Sequence, residues 1–103
     1  MTRIRFSKEA AEEFKHAVNW YETECRGLGT KLYNSVDSAL QLLKENSPPL
    51  VPIYGNAGVK GAKRLLLNRF PFSLIVLPRS NEIIILAVAH HHRQPNYWIN
   101  RTK

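Results

Sequence analysis

The alternation of apolar and polar residues predicts a short strand and two helices in the first half of the chain. Residues 3–6 (Arg-Ile-Arg-Phe) alternate in the manner of a strand with one buried face. Ser7 follows, a residue type whose hydroxyl accepts hydrogen bonds from the free amides at a helix N-terminus. Apolar residues then recur at helical spacing over 8–24, and again from 28 to about 46. A short link with two glycines joins the two segments, which predicts an antiparallel helix hairpin.

Each predicted helix carries one apolar stripe that is expected to face the core. In the first helix the stripe contains Ala10, Phe14, Ala17, Val18 and Tyr21. In the second helix it contains Leu28, Leu32, Val36, Leu40 and Leu43. The charged residues of the first helix are expected on its opposite, solvent-facing side; they include Glu9, Glu12, Glu13 and Lys15.

The second half of the chain predicts a loop followed by three strands. Residues 47–61 contain three prolines and three glycines and are expected to form a long surface loop. Strands are predicted over 63–67, 72–77 and 82–89, with turns between them. Because residues 83–88 are apolar on both faces, the last strand should be central in the sheet, with the helix hairpin covering at least one side.

Length and composition favour one domain over residues 1–103. A chain of 103 residues with 44% apolar residues can close one core of helices against a sheet. The charged first twenty residues do not resemble a secretory signal, and the longest apolar run, 83–89, is too short to span a bilayer. The single cysteine, Cys25, suits a reducing compartment. We therefore expect a cytoplasmic protein without a membrane partner.

The excess of positive charge lies entirely in the second half of the chain. Residues 1–46 hold seven Lys and Arg against seven Asp and Glu, whereas residues 47–103 hold eight against one acid, Glu82. The net charge of +7 therefore arises after residue 46. Such segregation favours a directed electrostatic field for nucleic acid or an acidic protein over a small-molecule ligand.

Several kinds of chemistry find little support in the residues. Neighbouring side chains of an extended chain point in opposite directions, so His90, His91 and His92 cannot all reach one ion, and no metal site is predicted. Gly-rich residues 55–58 precede a strand and not a helix, which excludes a phosphate-binding loop of that type. Cys25 has no identifiable base and orienting group, which disfavours nucleophilic catalysis. No cofactor is expected.

The remaining candidate surface consists of cations on the predicted sheet and a C-terminal stretch that mixes cations with aromatic residues. The candidate binding residues are Lys63, Arg64, Arg69, Arg79, Arg93, Tyr97, Trp98 and Arg101. Interleaved cations and aromatic rings can pair with phosphates and stack on bases. The alternative is that Tyr97 and Trp98 fold back to cap one end of the core, since tryptophan is usually mostly buried. The two interpretations are compatible if the aromatic rings pack on the core while the guanidinium groups face outward.

These residues and the order of elements resemble the RelE/ParE superfamily, the toxins of bacterial type II toxin-antitoxin modules. The matching segments are Phe6-Ser7-Lys8-Glu9-Ala10, Trp20-Tyr21, Gly27-Leu28-Gly29, Arg69-Phe70-Pro71-Phe72, and Leu86-Ala87-Val88-Ala89-His90 leading to Arg93, Pro95, Tyr97-Trp98 and Arg101. The resemblance implies an α+β fold with a helix hairpin packed on a small, mostly antiparallel sheet. It also implies a cognate antitoxin that wraps the toxin, with operator DNA bound only through that antitoxin.

The resemblance leaves the target open between two classes. ParE-like members poison DNA gyrase, and the pattern of His90, Arg93, Pro95 and Tyr97-Trp98 is closer to that ParE and plasmid-stabilisation branch. RelE-like members cut messenger RNA on the ribosome without a metal, which requires proton transfer and cations around the phosphate. For that activity the candidate residues are Lys63, Arg64, Arg79, His90, Arg93 and Tyr97. A third hypothesis is a non-toxic regulatory partner of an antitoxin.

Overall fold

In the part of the chain that the structure describes, helices and strands follow one another in the order β1-α1-α2-β2-β3-β4-β5. The computed structural model describes residues 3–45, 50–53, 61–94 and 97–102. The elements are β1 (Arg3–Phe6), α1 (Lys8–Glu24), α2 (Leu28–Lys44), β2 (Val51–Pro52), β3 (Lys63–Leu66), β4 (Phe72–Pro78), β5 (Glu82–His90) and a C-terminal 3₁₀ turn (Ile99–Thr102). The predicted α+β architecture, with its helix hairpin and three-strand meander, is confirmed.

The five strands form one mixed sheet in the order β1-β5-β4-β3-β2. β1 runs parallel to β5, and every other neighbouring pair is antiparallel. The apolar strand β5 lies inside the sheet, as predicted, although the middle position belongs to β4.

One correction concerns the predicted loop over 47–61. Val51 and Pro52 form the short edge strand β2, in which Val51 pairs with Arg64. Proline is tolerated there because an edge strand leaves one row of amides without a ladder partner. Residues 47–49 and 54–60 of the predicted loop lie outside the described residues.

The start of α1 is fixed to the sheet by Ser7. Its Oγ accepts a hydrogen bond from the amide of Ala10 at 3.1 Å, which confirms the predicted helix cap. The same hydroxyl donates to the carbonyl of Leu86 at 3.2 Å, and the Ser7 amide donates to the carbonyl of Ile85 at 2.9 Å. The chain therefore leaves β1 and enters α1 while still hydrogen-bonded to β5.

The helix hairpin closes through two glycines. Gly27 has φ +89°, a left-handed conformation that favours glycine. A Cβ added at Gly29 would lie 2.5 Å from the carbonyl oxygen of Val18, so the two helices approach each other too closely there for a side chain. The carboxylate of Glu22 accepts from both glycine amides, at 2.9 and 3.0 Å. This interaction caps the start of α2 with a side chain from α1.

Apolar side chains pack on both faces of the sheet. The helix-covered face holds the larger cluster, in which both predicted stripes meet β4 and β5; its most buried members include Ala10, Leu32, Val36, Leu74 and Ile85. The other face, called the open face below, holds a second cluster around Trp98; it includes Ala62, Ile75, Leu77, Leu86 and Ala87. No helix in the described part of the chain is both long and apolar enough to span a bilayer.

A β-bulge in β5 changes which of its residues face the helices and which lie on the open face. Val76 pairs with Ile85 while Ile75 pairs with Ala87, so Leu86 is an extra residue without a partner on β4. Strict alternation would place every second residue of β5 on the same side. Because of the bulge, Leu86 and Ala87 both belong to the open-face cluster.

Candidate functional site

Two concave surfaces meet at the end of the sheet where β5 stops. One, called the depression, lies on the open face with a volume of about 230 Å³; its lining includes Arg64, Ser73, His91, Arg93, Tyr97 and Trp98. The other, called the α1 groove, lies between α1 and the end of β5 with a volume of about 610 Å³; its lining includes Glu13, His16, Trp20, Phe72, His90 and Arg93. Arg93 borders both surfaces.

The floor of the depression contains two polar residues, Arg64 from β3 and Ser73 from β4, among apolar neighbours that include Ile75. Arg64 lies opposite Ile75 in the ladder, and both residues project from the open face. Ser73 is the buried polar residue of β4, and its Oγ lies 2.9 Å from Nε2 of His91. The Nε–H of Arg64 is buried without a hydrogen-bond partner in the described part of the chain. A guanidinium with an unsatisfied donor favours an anionic ligand at this position.

The rim of the depression is formed by Arg93 and Tyr97. The guanidinium carbon of Arg93 lies 4.0 Å from the centre of the Tyr97 ring, within the range of a cation–π interaction. Arg93 is exposed, whereas Tyr97 is half-buried. The aromatic ring therefore orients a cation that remains accessible to a partner.

Tyr97 is held in turn by Glu13, a residue that was predicted to face solvent. That prediction is wrong: the Glu13 side chain is 18% exposed and points toward the C-terminal segment, residues 97–102. The phenol of Tyr97 donates to one carboxylate oxygen at 2.6 Å, and Arg101 donates to both oxygens at 3.0 and 3.3 Å. Glu13 lies three residues after Ala10 and four before Ala17, so it shares the inward side of α1 with them. The spacing of Glu13 from Ala10 and Ala17 is the feature of the sequence that predicts its inward orientation.

The carboxylate of Glu13 also completes the hydrogen bonding of the sheet. β1 ends at Phe6, opposite Ile85, so among the described residues no strand pairs with the later backbone groups of β5 on that side. The amide of Val88 donates to Glu13 at 3.1 Å instead. The carbonyl of Leu86 accepts from Arg101 at 3.0 Å, in addition to the bond from Ser7. Side chains of α1 and of the C-terminal segment thus replace the missing strand.

Burial and the Glu13 carboxylate determine the ionisation of this cluster. Burial, followed by the hydrogen bond to Glu13 and its negative charge, raises the pKa of Tyr97 far above the ordinary value for a phenol. The Tyr97 side chain is therefore protonated at neutral pH. Burial alone would lower the pKa of Arg101, but the hydrogen bond and charge of Glu13 outweigh it and raise this pKa.

At the end of β5 the ring of His90 lies 5.1 Å from the ring of His92, whereas His91 points to the open face. The ring of His90 packs edge-on against Phe72, with ring centres 5.0 Å apart, and its Nδ1 accepts from the amide of His92 at 3.0 Å. His91 lies on the open face, where it contacts Ser73. Burial, with the nearby His92 and His91, lowers the pKa of His90 below its ordinary value of 6.5. The described residues contain no cluster of three His, Cys, Asp or Glu side chains suited to a metal ion.

The other predicted site residues are spread over the sheet. By strand alternation Lys63 shares the side of Leu65, on the face opposite Arg64. Arg79 follows β4 in the turn to β5, about 20 Å from Ser73 at the usual rise of a strand. Arg69 is exposed in the turn between β3 and β4, with φ 73°. Of the residues named for RNA cleavage, Arg64, Arg93 and Tyr97 line the depression together, and His90 lies at its edge with its ring against Phe72.

Trp98 is a core residue of the open face, and its packed ring also forms part of the lining of the depression. It is 1% exposed and packs with the second apolar cluster. Tyr97, which is half-buried, packs against the same cluster, so the sequence alternative in which both aromatic residues fold back onto the core is confirmed, while Arg93 faces outward. Arg101 was also a candidate for binding, but its guanidinium is engaged with Glu13 and with the carbonyl of Leu86.

Comparisons with known proteins identify the fold. No protein-family model and no curated protein matches the chain. Among solved structures, a chain described as belonging to the chromosomal ParDE TA system from P. aeruginosa matches with a TM-score of 0.71 and 19% sequence identity. The match covers 87% of the present chain and 96% of the other. The α+β fold expected from the resemblance is thus confirmed, and it is shared with a chain of a ParDE system.

Proposed function

We propose that this chain is the toxin of a type II toxin-antitoxin module, that it arrests growth by inhibiting DNA gyrase, and that a cognate acidic antitoxin neutralises it. The observation that carries the proposal is the accessible cationic rim of the depression, on a fold shared with a ParDE chain. A basic surface of this kind favours fast association with an acidic protein partner.

The charges of the described residues support a macromolecular partner. Their ion pairs join Arg5 to Glu82 and Arg101 to Glu13. Within the same residues, Arg64, Arg69 and Arg93 have no carboxylate within 4 Å. Cations without internal partners can pair with acidic groups of another molecule. Lys60 and Lys103, which add to the same charge, lie outside the described residues.

The arrangement of the proton-transfer candidates favours a gyrase inhibitor over a ribonuclease. RNA cleavage requires a base for the 2′-hydroxyl and an acid for the leaving oxygen. The Tyr97 phenol donates to Glu13, and its raised pKa disfavours the phenolate that would act as a base. The His90 ring packs on Phe72, and its Nδ1 already accepts a hydrogen bond. Inhibition by binding needs neither group to move a proton.

Ribosome-dependent RNA cleavage remains the second candidate because of His91. Its imidazole lies on the open face, in the same depression as Arg64 and Arg93. A titratable group beside two cations is a combination that RNA cleavage uses. In that case the antitoxin would cover the same depression, and messenger RNA on the ribosome would be the target.

Induced expression of the chain in a bacterial host distinguishes the hypotheses. We expect growth arrest with breaks in plasmid DNA, together with loss of supercoiling activity when purified protein is added to purified gyrase. Cut transcripts with intact plasmid DNA would identify the ribonuclease instead. Normal growth at full expression would contradict a toxin and favour the regulatory partner, a non-toxic module that binds an antitoxin.

Binding to the antitoxin is tested by co-purification with the product of the neighbouring gene. We expect a complex whose affinity falls between low and high salt, because opposite charges attract less when they are screened. Salt-independent binding would contradict the electrostatic contribution. Absence of any complex would contradict the assignment to an antitoxin module.

A further inference from the structure

We propose that Glu13 is a positioning residue, which holds Arg93 at the rim of the depression by way of Tyr97. The role of this rim in target binding depends on the proposed function, whereas the positioning itself does not. Glu13 is distinguished from the other acidic residues of α1 by its hydrogen bonds to β5 and to the C-terminal segment.

The first step of the argument is the set of groups that face the carboxylate. Three donors converge on it: the amide of Val88, the phenol of Tyr97 and the guanidinium of Arg101. A carboxylate can accept all of them, because its two oxygens offer about four lone-pair sites and no hydrogen. These bonds join α1, β5 and the C-terminal segment at one side chain.

The second step leads from the phenol to the cation. The hydroxyl of Tyr97 is bound to Glu13, and the face of its ring lies against the guanidinium of Arg93 at 4.0 Å. The side chain of Arg93 is exposed and has no carboxylate within 4 Å among the described residues. An exposed arginine samples many rotamers unless a neighbour restrains it. Tyr97 supplies that restraint, and Glu13 fixes Tyr97.

The third step concerns what an amide would do in place of the carboxylate. Glutamine has nearly the same shape, but one of its terminal groups is a donor. The Tyr97 hydroxyl can turn and accept, but Arg101 can only donate, and it donates to both carboxylate oxygens. Whichever oxygen is replaced in Glu13→Gln, the new NH₂ therefore faces an N–H group of Arg101. A buried donor facing a donor is unfavourable, so we expect the C-terminal segment to loosen while the apolar cores remain.

Nuclear magnetic resonance of the Arg93 side chain tests the positioning without reference to function. In the wild type we expect the ring current of Tyr97 to shift the protons of Arg93 above the ring upfield, because the guanidinium carbon lies 4.0 Å from the ring centre. We expect this shift to disappear in Glu13→Gln. It should be retained in Glu12→Gln, a matched change at an exposed residue one position away on α1. A Glu13→Gln protein that is folded and keeps the upfield shift would overturn the inference.

A second variant covers the case in which Glu13→Gln does not fold. Tyr97→Phe keeps the ring and its apolar packing but removes the hydroxyl that binds Glu13. We expect a folded protein in which the Arg93 upfield shift is reduced, because the ring is no longer fixed at its far end. An unchanged shift in this variant would show that Glu13 does not act through Tyr97, and would equally overturn the inference.

Growth arrest measures whether the position of Arg93 matters for the target. Removing one charge-assisted interaction weakens binding by about tenfold. We expect Glu13→Gln and Arg93→Ala each to require about tenfold more protein for arrest, and the double variant to require no more than either. An additive effect in the double variant would show that Glu13 acts independently of Arg93. If the wild type causes no arrest, the proposed function fails, while the Arg93 resonances still decide the positioning role.

Discussion

The two faces of the sheet differ in how they are covered. On the helix-covered face, two amphipathic helices bury a continuous apolar cluster that includes Leu32 and Val36. On the open face, Trp98 covers part of the sheet, and beside it lies the depression that contains the polar residues Arg64, Ser73 and His91. Burial of the first kind stabilises the fold. The open face also stabilises the fold through the cluster around Trp98, and it is the face on which we propose that a partner binds, at the exposed Arg93 beside that cluster.

The C-terminal segment contributes both to the apolar core and to the rim of the depression. Its Trp98 is a core residue, its Tyr97 binds Glu13, and Arg93 just before it is exposed. Neighbouring positions are therefore expected to respond in different ways to substitution. Substitution of each residue tests whether it belongs to the apolar core or to the proposed binding surface.

The largest decrease in stability is expected for Trp98→Ala. Removing a fully buried aromatic ring costs about 3 to 5 kcal/mol, because apolar burial is reduced and a cavity remains. Because Trp98 also anchors the C-terminal segment, growth arrest should fall together with the melting temperature. Trp20→Ala is the control, since that ring is 57% exposed and its removal should cost about 1 kcal/mol or less. Equal melting of the two variants would remove Trp98 from the core.

Leu32→Ala should have the next largest effect. The side chain is 0% exposed at the centre of the helix-covered cluster, and such truncations cost about 2 to 5 kcal/mol. Leu40→Ala should cost less, because Leu40 is only partly buried at the edge of the same cluster. Chemical denaturation of both variants measures the difference. A Leu32→Ala protein that melts within a degree or two of the wild type would contradict the assigned core face of α2.

Much of the fold could be predicted because it depends on local patterns. The helix spacing from Lys8, the cap at Ser7 and the strand after Asn81 are all signalled by residues close in sequence. The edge strand at 51–52 was missed because two residues carry no periodicity, and their pairing with β3 is a long-range interaction. The bulge at Leu86 was missed for the same reason, since it arises from the register between β4 and β5.

The candidate site was predictable in composition but not in arrangement. The sequence singled out Arg64, Arg93 and Tyr97, which do meet in the depression. It did not identify Glu13 or Ser73, whose roles depend on residues 84 and 18 positions away. It also could not show that Arg79 lies at the opposite end of β4. Strand order and register determine which side chains lie close together, and neither can be predicted from the amino-acid composition.

A smaller effect is expected at His90, where the two concave surfaces meet. Its pKa is lowered in the folded state, so as pH falls below the ordinary value of 6.5 the unfolded chain takes up a proton first. Stability that is present above pH 6.5 is therefore lost as the pH falls through the lower, folded-state pKa. The melting temperature should drop more between pH 7.5 and 5.5 for the wild type than for His90→Gln. His16→Gln, a change at an exposed histidine, serves as the control and should retain the wild-type drop.

The smallest effect on stability, with the largest effect on function, is expected for Arg93→Glu. An exposed charge reversal usually changes stability by less than about 0.5 kcal/mol, and this one removes the cation–π interaction between Arg93 and the Tyr97 ring. Arg26→Glu is the matched control, an exposed arginine in the link between the helices and outside the candidate site.

Inhibition of purified gyrase by the wild type, Arg93→Glu and Arg26→Glu, measured beside the thermal melting of each protein, tests the account most directly. We expect all three to melt alike, and only Arg93→Glu to lose inhibition, because a cation at the rim of the depression is replaced by an acid. If Arg93→Glu melts normally and inhibits gyrase as the wild type does, the open face is not the functional surface and the central claim is wrong.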